Sequence, residues 1–249
     1  MNSQAESAFS IHLSQSNAAR TWRAEHLFYC CMTSSIWLVM LLGFARTFYL
    51  SAYFGTRSAL TPLLVVHGAV MTVWMTLLIV QSSLIAAHRM SWHRVLGIAG
   101  SVLAALLTLL MIAVTYIHAR KGMAAGSGDW KFLFNVSMAS PLAFAALMLA
   151  AVGMRRRGEY HKRLVILAAV ELVSAALARL PVIGTAGAVG FFGASDLFVL
   201  ALLVHDLATS RRVHPATAWG GGLLVLSQPI RALVASQPAV LAFAAHLVR

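Results

Sequence analysis

Charge is what this chain has least of. Only 10% of its 249 residues are Asp, Glu, Lys or Arg, against about 25% in soluble domains, which is too little to cover a soluble surface. Cysteine is scarce too: Cys30 and Cys31 are the only two, and they are adjacent. Neighbouring cysteines make neither a disulfide framework nor a zinc site, so they read as two small core residues. Acidic residues number seven against nineteen basic ones. The sequence has no H-E-x-x-H, no E-x-x-H pair, no Walker A loop, no G-x-G-x-x-G and no G-x-S-x-G. The usual signatures of zinc, di-iron, nucleotide and serine-hydrolase chemistry are therefore absent.

What the chain has is apolar residues in long, continuous runs. Hydrophobic residues make up 60% of it, and the mean hydropathy is +0.80. A bilayer core of roughly 30 Å needs about 20 mostly apolar residues per helical crossing. Runs without alternation favour helices over a barrel. The expected fold is all-α: a polytopic transmembrane helix bundle filling 25–249, behind a polar segment 1–24 expected to be mobile. Seven spans are predicted, at about 27–50, 60–87, 95–117, 132–154, 164–180, 191–207 and 216–247. No small-residue cleavage site follows the first run, so it reads as an uncleaved span. Pro62 suits a first helical turn, and Pro141 is placed to kink span four. Gly184, Gly187, Gly190 and Gly193 suggest a loop after Pro181. The last segment is either one kinked helix or a span followed by an interfacial helix.

The basic residues fix an orientation. In a soluble protein a net charge of +12 would point to nucleic acid; here the charge sits in short loops. With seven spans, Arg20, Arg23, Arg89, Arg94, Arg155, Arg156, Arg157, Lys162, Arg163, Arg211 and Arg212 fall on one side. Arg57, Arg120, Lys121, Lys131 and Arg249 fall on the other. Cationic loops stay in the cytoplasm, so the N-terminus is expected there and the C-terminus in the periplasm.

Polar groups within the spans are the candidates for function. His67, Trp74, Gln81 and His88 recur at intervals of seven, a stripe that drifts by about 20° per step and so should face other helices. Ionisable residues inside a bilayer are costly and face the bundle interior. Arg46, His67, Arg179, Asp196 and Arg231 fall in or near the outer half of their spans, with Glu171 near mid-span. One reading is an outer polar cavity that binds or passes a small anionic solute, since arginine outnumbers carboxylate there. Arg179 and Arg231 would grip the solute, Asp196 would orient one arginine, Arg46 would guard the edge, and His67 would respond to pH. The competing readings are an ion-pair network that fixes helix order and arginines that snorkel to the interface.

Histidines form a second group. His88, His93, His161, His205 and His214 lie near the expected cytoplasmic ends of their spans. Imidazole is a common metal and haem ligand. The HR and HK pairs also suit an interface with anionic headgroups.

H67-G, W74, Q81, H93-R-x-L-G, H161-K-R-L, A178-R-L-P, D196-L-F, H214-P-A and S227-Q-P-I-R together resemble a group of uncharacterised bacterial multi-pass membrane proteins. That resemblance implies a bacterial inner membrane and no established activity. The shorter stretch HGAVMTVW with W92-H93-R-x-L-G is similar to the second and third helices of cytochrome b561-type proteins. It implies b-type haem held by His67 and His93, with His161 and His205 as further positions. The expected function is thus a binder or permease for an anionic solute. The alternatives are a haem- or quinone-linked oxidoreductase and a structural protein without a ligand. The expected partners are the bilayer and a small ligand, with neither nucleic acid nor a metal ion.

Overall fold

The computed structural model describes residues 3–56, 60–127 and 129–248, with side chains from Trp22 onward. Arg57 and Arg249, counted above on the less basic side, lie outside the described residues, and the side chain of Arg20 is not described. All the regular structure described is helical: α1 (Ser3–Phe44) with a π-turn at Ala45–Tyr49, α2 (Pro62–Ala86), α3 (Met90–Ala124), α4 (Trp130–Gly153), α5 (Gly158–Leu177), α6 (Pro181–Thr185), α7 (Gly187–Ser210), α8 (Pro215–Ala235) and α9 (Pro238–Val248). Helix α1 takes in most of the polar stretch set apart above as 1–24.

Among the described residues, five helices are long and apolar enough to cross a membrane: Trp22–Tyr49 within α1 and its π-turn, then α2, α3, α4 and α7. The α8–α9 pair, bent by 81°, makes a sixth if it counts as one broken span. Such an architecture is consistent with a multi-pass membrane protein. The remaining expected span, α5, carries Glu159, Lys162, Arg163 and Glu171 in twenty residues and is too polar to meet lipid. Its position explains why it need not. Helices α1, α4, α7 and α8 pack around it, and Leu167, Ala168, Ala169, Val173 and Ala176 have no exposed surface. Alanines on α5 let neighbours approach closely, and Gly43 of α1 rests against the Ala176 backbone.

Local chemistry sets the helix ends. Thr61 caps α2, its hydroxyl accepting from the Leu64 N–H, with Pro62 in the first turn. His214 and Pro215 do the same for α8. Helices α2 and α7 end near residues with left-handed backbone, His88 (φ 56°) and Arg211 (φ 57°). The expected glycine loop is instead mostly helix. Gly184 lies in α6, and Gly187, Gly190 and Gly193 lie in α7. The glycines serve a tight corner: a Cβ on Gly190 would stand 2.5 Å from the Ile183 carbonyl oxygen.

The α2–α3, α4–α5 and α7–α8 turns, with Arg89, Arg155, Arg156, Arg157, Arg211 and Arg212, define a basic end. Helix α9 packs at the opposite end, where Ala244 and Val248 meet Ala119, Trp130 and Phe134.

Candidate functional site

A cavity of about 170 Å³ opens between α1, α2, α3, α4 and α5 at the basic end. Its floor is Trp74, 2% exposed, whose indole N–H donates to the Gly100 carbonyl at 3.2 Å. Gly97 and Gly100 remove side chains from the α3 wall, while Met148 and Ile166 supply apolar surface. Trp74 and Gln81 of the seven-residue stripe both line it. His88, from the same stripe, lies beyond α2, where its ring stacks on Trp22 at 4.4 Å. Trp22 in turn meets the ring of His26, a residue of the cavity mouth, at 4.0 Å.

Three histidines line this space, and His26 holds its Nδ1 2.7 Å from the Trp22 carbonyl oxygen. His161 holds its Nδ1 2.8 Å from the Ala151 carbonyl oxygen. His93 is engaged by Gln81. Assigned from its neighbours, the Gln81 amide turns its nitrogen toward the His93 ring and toward the His93 carbonyl oxygen, 3.2 Å away. Its oxygen accepts from the Gly97 N–H at 2.8 Å. The reverse orientation would set the amide oxygen against the His93 carbonyl and the amide nitrogen against the Gly97 N–H. In each imidazole it is Nδ1 that these contacts engage.

The mouth is ion-paired. Lys162 bridges Glu25 and Glu159, at 2.6 Å from the latter, and lies over the Tyr29 ring at 5.0 Å. Glu159 sits in the first turn of α5, before the apolar run. Burial alone would raise its pKa, but hydrogen bonds from Lys162 and Arg163 outweigh that and hold it below the ordinary carboxylate value. Arg163 also donates to Asp206 Oδ1 at 2.9 and 2.6 Å. Asp206 Oδ2 accepts from the His214 N–H at 3.0 Å, so α5, α7 and the start of α8 are tied together. Three carboxylates meet two cations here, which leaves no positive surplus for an anion.

The other predicted residues lie elsewhere, in two groups. Arg231 is buried against Glu171 and also reaches Ser140 at 3.1 Å. Asp196 accepts from Gln228 at 2.7 Å. The void beside them, lined by Glu171, Ser174, Ser195, Asp196 and Gln228, measures only about 10 Å³, room for about one water. His67, Arg46 and Arg179 belong to the end opposite the basic one. Arg179 lies over the Phe44 ring at 4.4 Å and Arg46 over Phe54 at 5.1 Å. Phe48 packs on Gly68, next to His67, whose Nδ1 is buried without a partner among the described residues. His205 is outside the cavity, its ring stacked on Phe28 at 3.9 Å.

Sequence reasoning missed Glu25, Tyr29 and Thr33. They lie at intervals of four on the cavity face of α1, a helical spacing that was available as a signal. Among the described residues no group of three or more His, Cys, Asp or Glu is placed to hold a metal ion. Comparisons with protein-family models, curated proteins and solved structures found no match.

Proposed function

We propose that this is a bacterial inner-membrane protein that binds a small, uncharged, bilayer-soluble ring compound of quinone type at its basic end. Helices α1 to α5, α7 and the α8–α9 pair are its seven crossings. The basic end is cytoplasmic, because cationic loops are retained there. The observation that carries the reading is the largely apolar cavity lined by three imidazoles, His26, His93 and His161. An engineered protein cavity of about 150 Å³ holds benzene, so about 170 Å³ suits one ring. A haem macrocycle needs several times that space, and His67 and His205 do not reach the cavity, so the residues do not fit haem. Apolar walls with a few placed polar groups are the general pattern of small-molecule sites. The imidazoles supply hydrogen bonds to ring oxygens, and Trp74 and Met148 supply the apolar bed.

Binding of decylubiquinone to protein in nanodiscs tests this. Wild type should bind saturably. Gly97→Ala should bind like wild type, because its Cβ would meet only the Gln81 amide, at 3.8 Å. Gly97→Leu should lose binding by filling the cavity. Absence of saturable binding, or unchanged binding in Gly97→Leu, overturns the proposal.

A second reading, an anion site at the opposite end, rests on Arg46 and Arg179, which face aromatic rings rather than carboxylates. Its test is equilibrium binding of inorganic phosphate and sulfate to wild type and Arg179→Gln. Loss of binding in the variant supports it, and no binding to wild type removes it. If neither site binds, a scaffold without a ligand is what remains.

A further inference from the structure

The carboxylates at the basic end stop at the cavity mouth. Lys162 and Arg163 occupy both oxygens of Glu159, and they also hold Glu25 and Asp206. Beyond the mouth, the α4–α5 turn carries Arg155, Arg156 and Arg157, and the α7–α8 turn carries Arg211 and Arg212, all exposed. None of these five takes part in an ion pair among the described residues. The fold brings the two turns together. Arg157 lies over the Tyr160 ring at 5.9 Å, the Tyr160 ring meets that of His214 at 4.6 Å, and His214 follows Arg212 by two residues. Asp206, accepting from Arg163 and from the His214 N–H, ties the same helices. Each turn is also fixed within itself. The Arg157 N–H donates to the Met154 carbonyl at 2.7 Å, and the Ser210 hydroxyl donates to the Arg212 carbonyl at 3.0 Å.

Five guanidiniums without a protein anion need an anion from outside. Retention of loops in the cytoplasm counts lysine and arginine alike, yet all five are arginine. The planar guanidinium forks onto two oxygens of one phosphate, which an ammonium cannot do. The turns end α4 and α7, which are long and apolar enough to cross a membrane, so the phosphates nearest to them are those of lipid headgroups. Trp92 and Trp219, 59% and 81% exposed at this end, are the amphipathic side chains favoured at that depth. We propose that the α4–α5 and α7–α8 turns bind the headgroup of an anionic phospholipid with two phosphates, of cardiolipin type, one phosphate at each turn. Basic sites between transmembrane helices take multiply charged headgroups of this kind. The proposal rests on the multi-pass architecture and on neither the cavity nor its occupant.

Delipidated protein in detergent, titrated with cardiolipin, phosphatidylglycerol or phosphatidylcholine and read by native mass spectrometry, tests this. At equal phosphate concentration wild type should bind cardiolipin about tenfold or more tightly than phosphatidylglycerol, because the second phosphate binds intramolecularly. Phosphatidylcholine should bind weakest. Arg211→Lys with Arg212→Lys keeps the charge, and so the topology, but removes the forks of one turn. Cardiolipin should then bind about as phosphatidylglycerol does. The triple variant Arg155→Lys, Arg156→Lys and Arg157→Lys should behave the same way. Arg89→Lys, in the α2–α3 turn, should leave the preference intact. Gly97→Leu, which fills the cavity, should leave it intact too, so this proposal and the cavity reading fail separately. The comparison of lipids on wild type needs no variant and stands even if the lysine variants fold poorly. Equal affinity of wild type for the two anionic lipids, or an undiminished preference in either lysine variant, overturns the proposal.

Discussion

The guanidinium of Arg231 meets the carboxylate of Glu171 through two parallel hydrogen bonds, Nη1 to Oε1 at 2.8 Å and Nη2 to Oε2 at 3.0 Å. The partners come from α8 and α5, and both side chains are 5% exposed. Two charges so deeply buried are tolerated only as a pair, because removing one leaves the other uncompensated. Arg231→Leu or Glu171→Leu alone should destabilise the protein by roughly 3–5 kcal/mol, and the double leucine variant should recover most of that loss. Reversible unfolding in mixed micelles measures it. Additive losses in the double variant would mean that the two residues act separately.

A second pair does a different task. Asp206 has no exposed surface and accepts from Arg163 on α5 and from the His214 N–H where α8 begins. Asp206→Leu should strand Arg163 and free the start of α8. Hydrogen exchange at residues 214–218 should then accelerate, while the middle of α4 stays protected. Uniform acceleration over the whole protein would show a global loss of stability instead.

These pairs mark where the sequence could be read and where it could not. Composition and run length point to helices at 60–87, 95–117 and 132–154, and helices lie there because an apolar run of that length has one economical conformation in lipid. The fate of the intramembrane charges depends on which helices become neighbours, and no spacing encodes that. Arg231 and Asp196 share a level in the sequence, yet each is satisfied by a different residue, Glu171 and Gln228. The cavity residues His93 and His161 were visible as imidazoles near span ends. That they face one space follows only from α5 sitting at the centre of the bundle. Gln81 was legible as part of the seven-residue stripe, but its partner on α3 was not.

His214 gives a pH-dependent prediction. It precedes α8, and its Nδ1 accepts from the Ala216 N–H at 3.1 Å, which requires an unprotonated nitrogen. Burial, and then repulsion from Arg163, hold its pKa below the ordinary histidine value. The unfolded chain takes up this proton near pH 6.5 and the folded chain resists until lower pH. The contribution is therefore fully present above about pH 6.5 and is lost as pH falls from there through the folded value. Asn caps helices well without titrating. His214→Asn should match wild type at pH 7.5 and lose less stability by pH 5.5, read as the difference between the two unfolding profiles. Superimposable profiles would show that this cap carries no pH dependence.

Two glycines should respond oppositely to the same substitution. A Cβ on Gly43 of α1 would fall on the backbone of Ala176 in α5, and backbone in the centre of a packed helix cannot rotate away. A Cβ on Gly97 of α3 finds only the end of the Gln81 side chain, at ordinary contact distance. Gly→Ala favours a helix by about 1 kcal/mol when space allows. Gly97→Ala should therefore be neutral or slightly stabilising. Gly43→Ala should cost more than the propensity gain, since α1 must move off α5 and disturb Met40 and Ile36, which are 3% and 0% exposed. Unfolding midpoints of both variants in the same micelles decide it. If Gly43→Ala is as stable as wild type, α1 does not pack on α5 at this point.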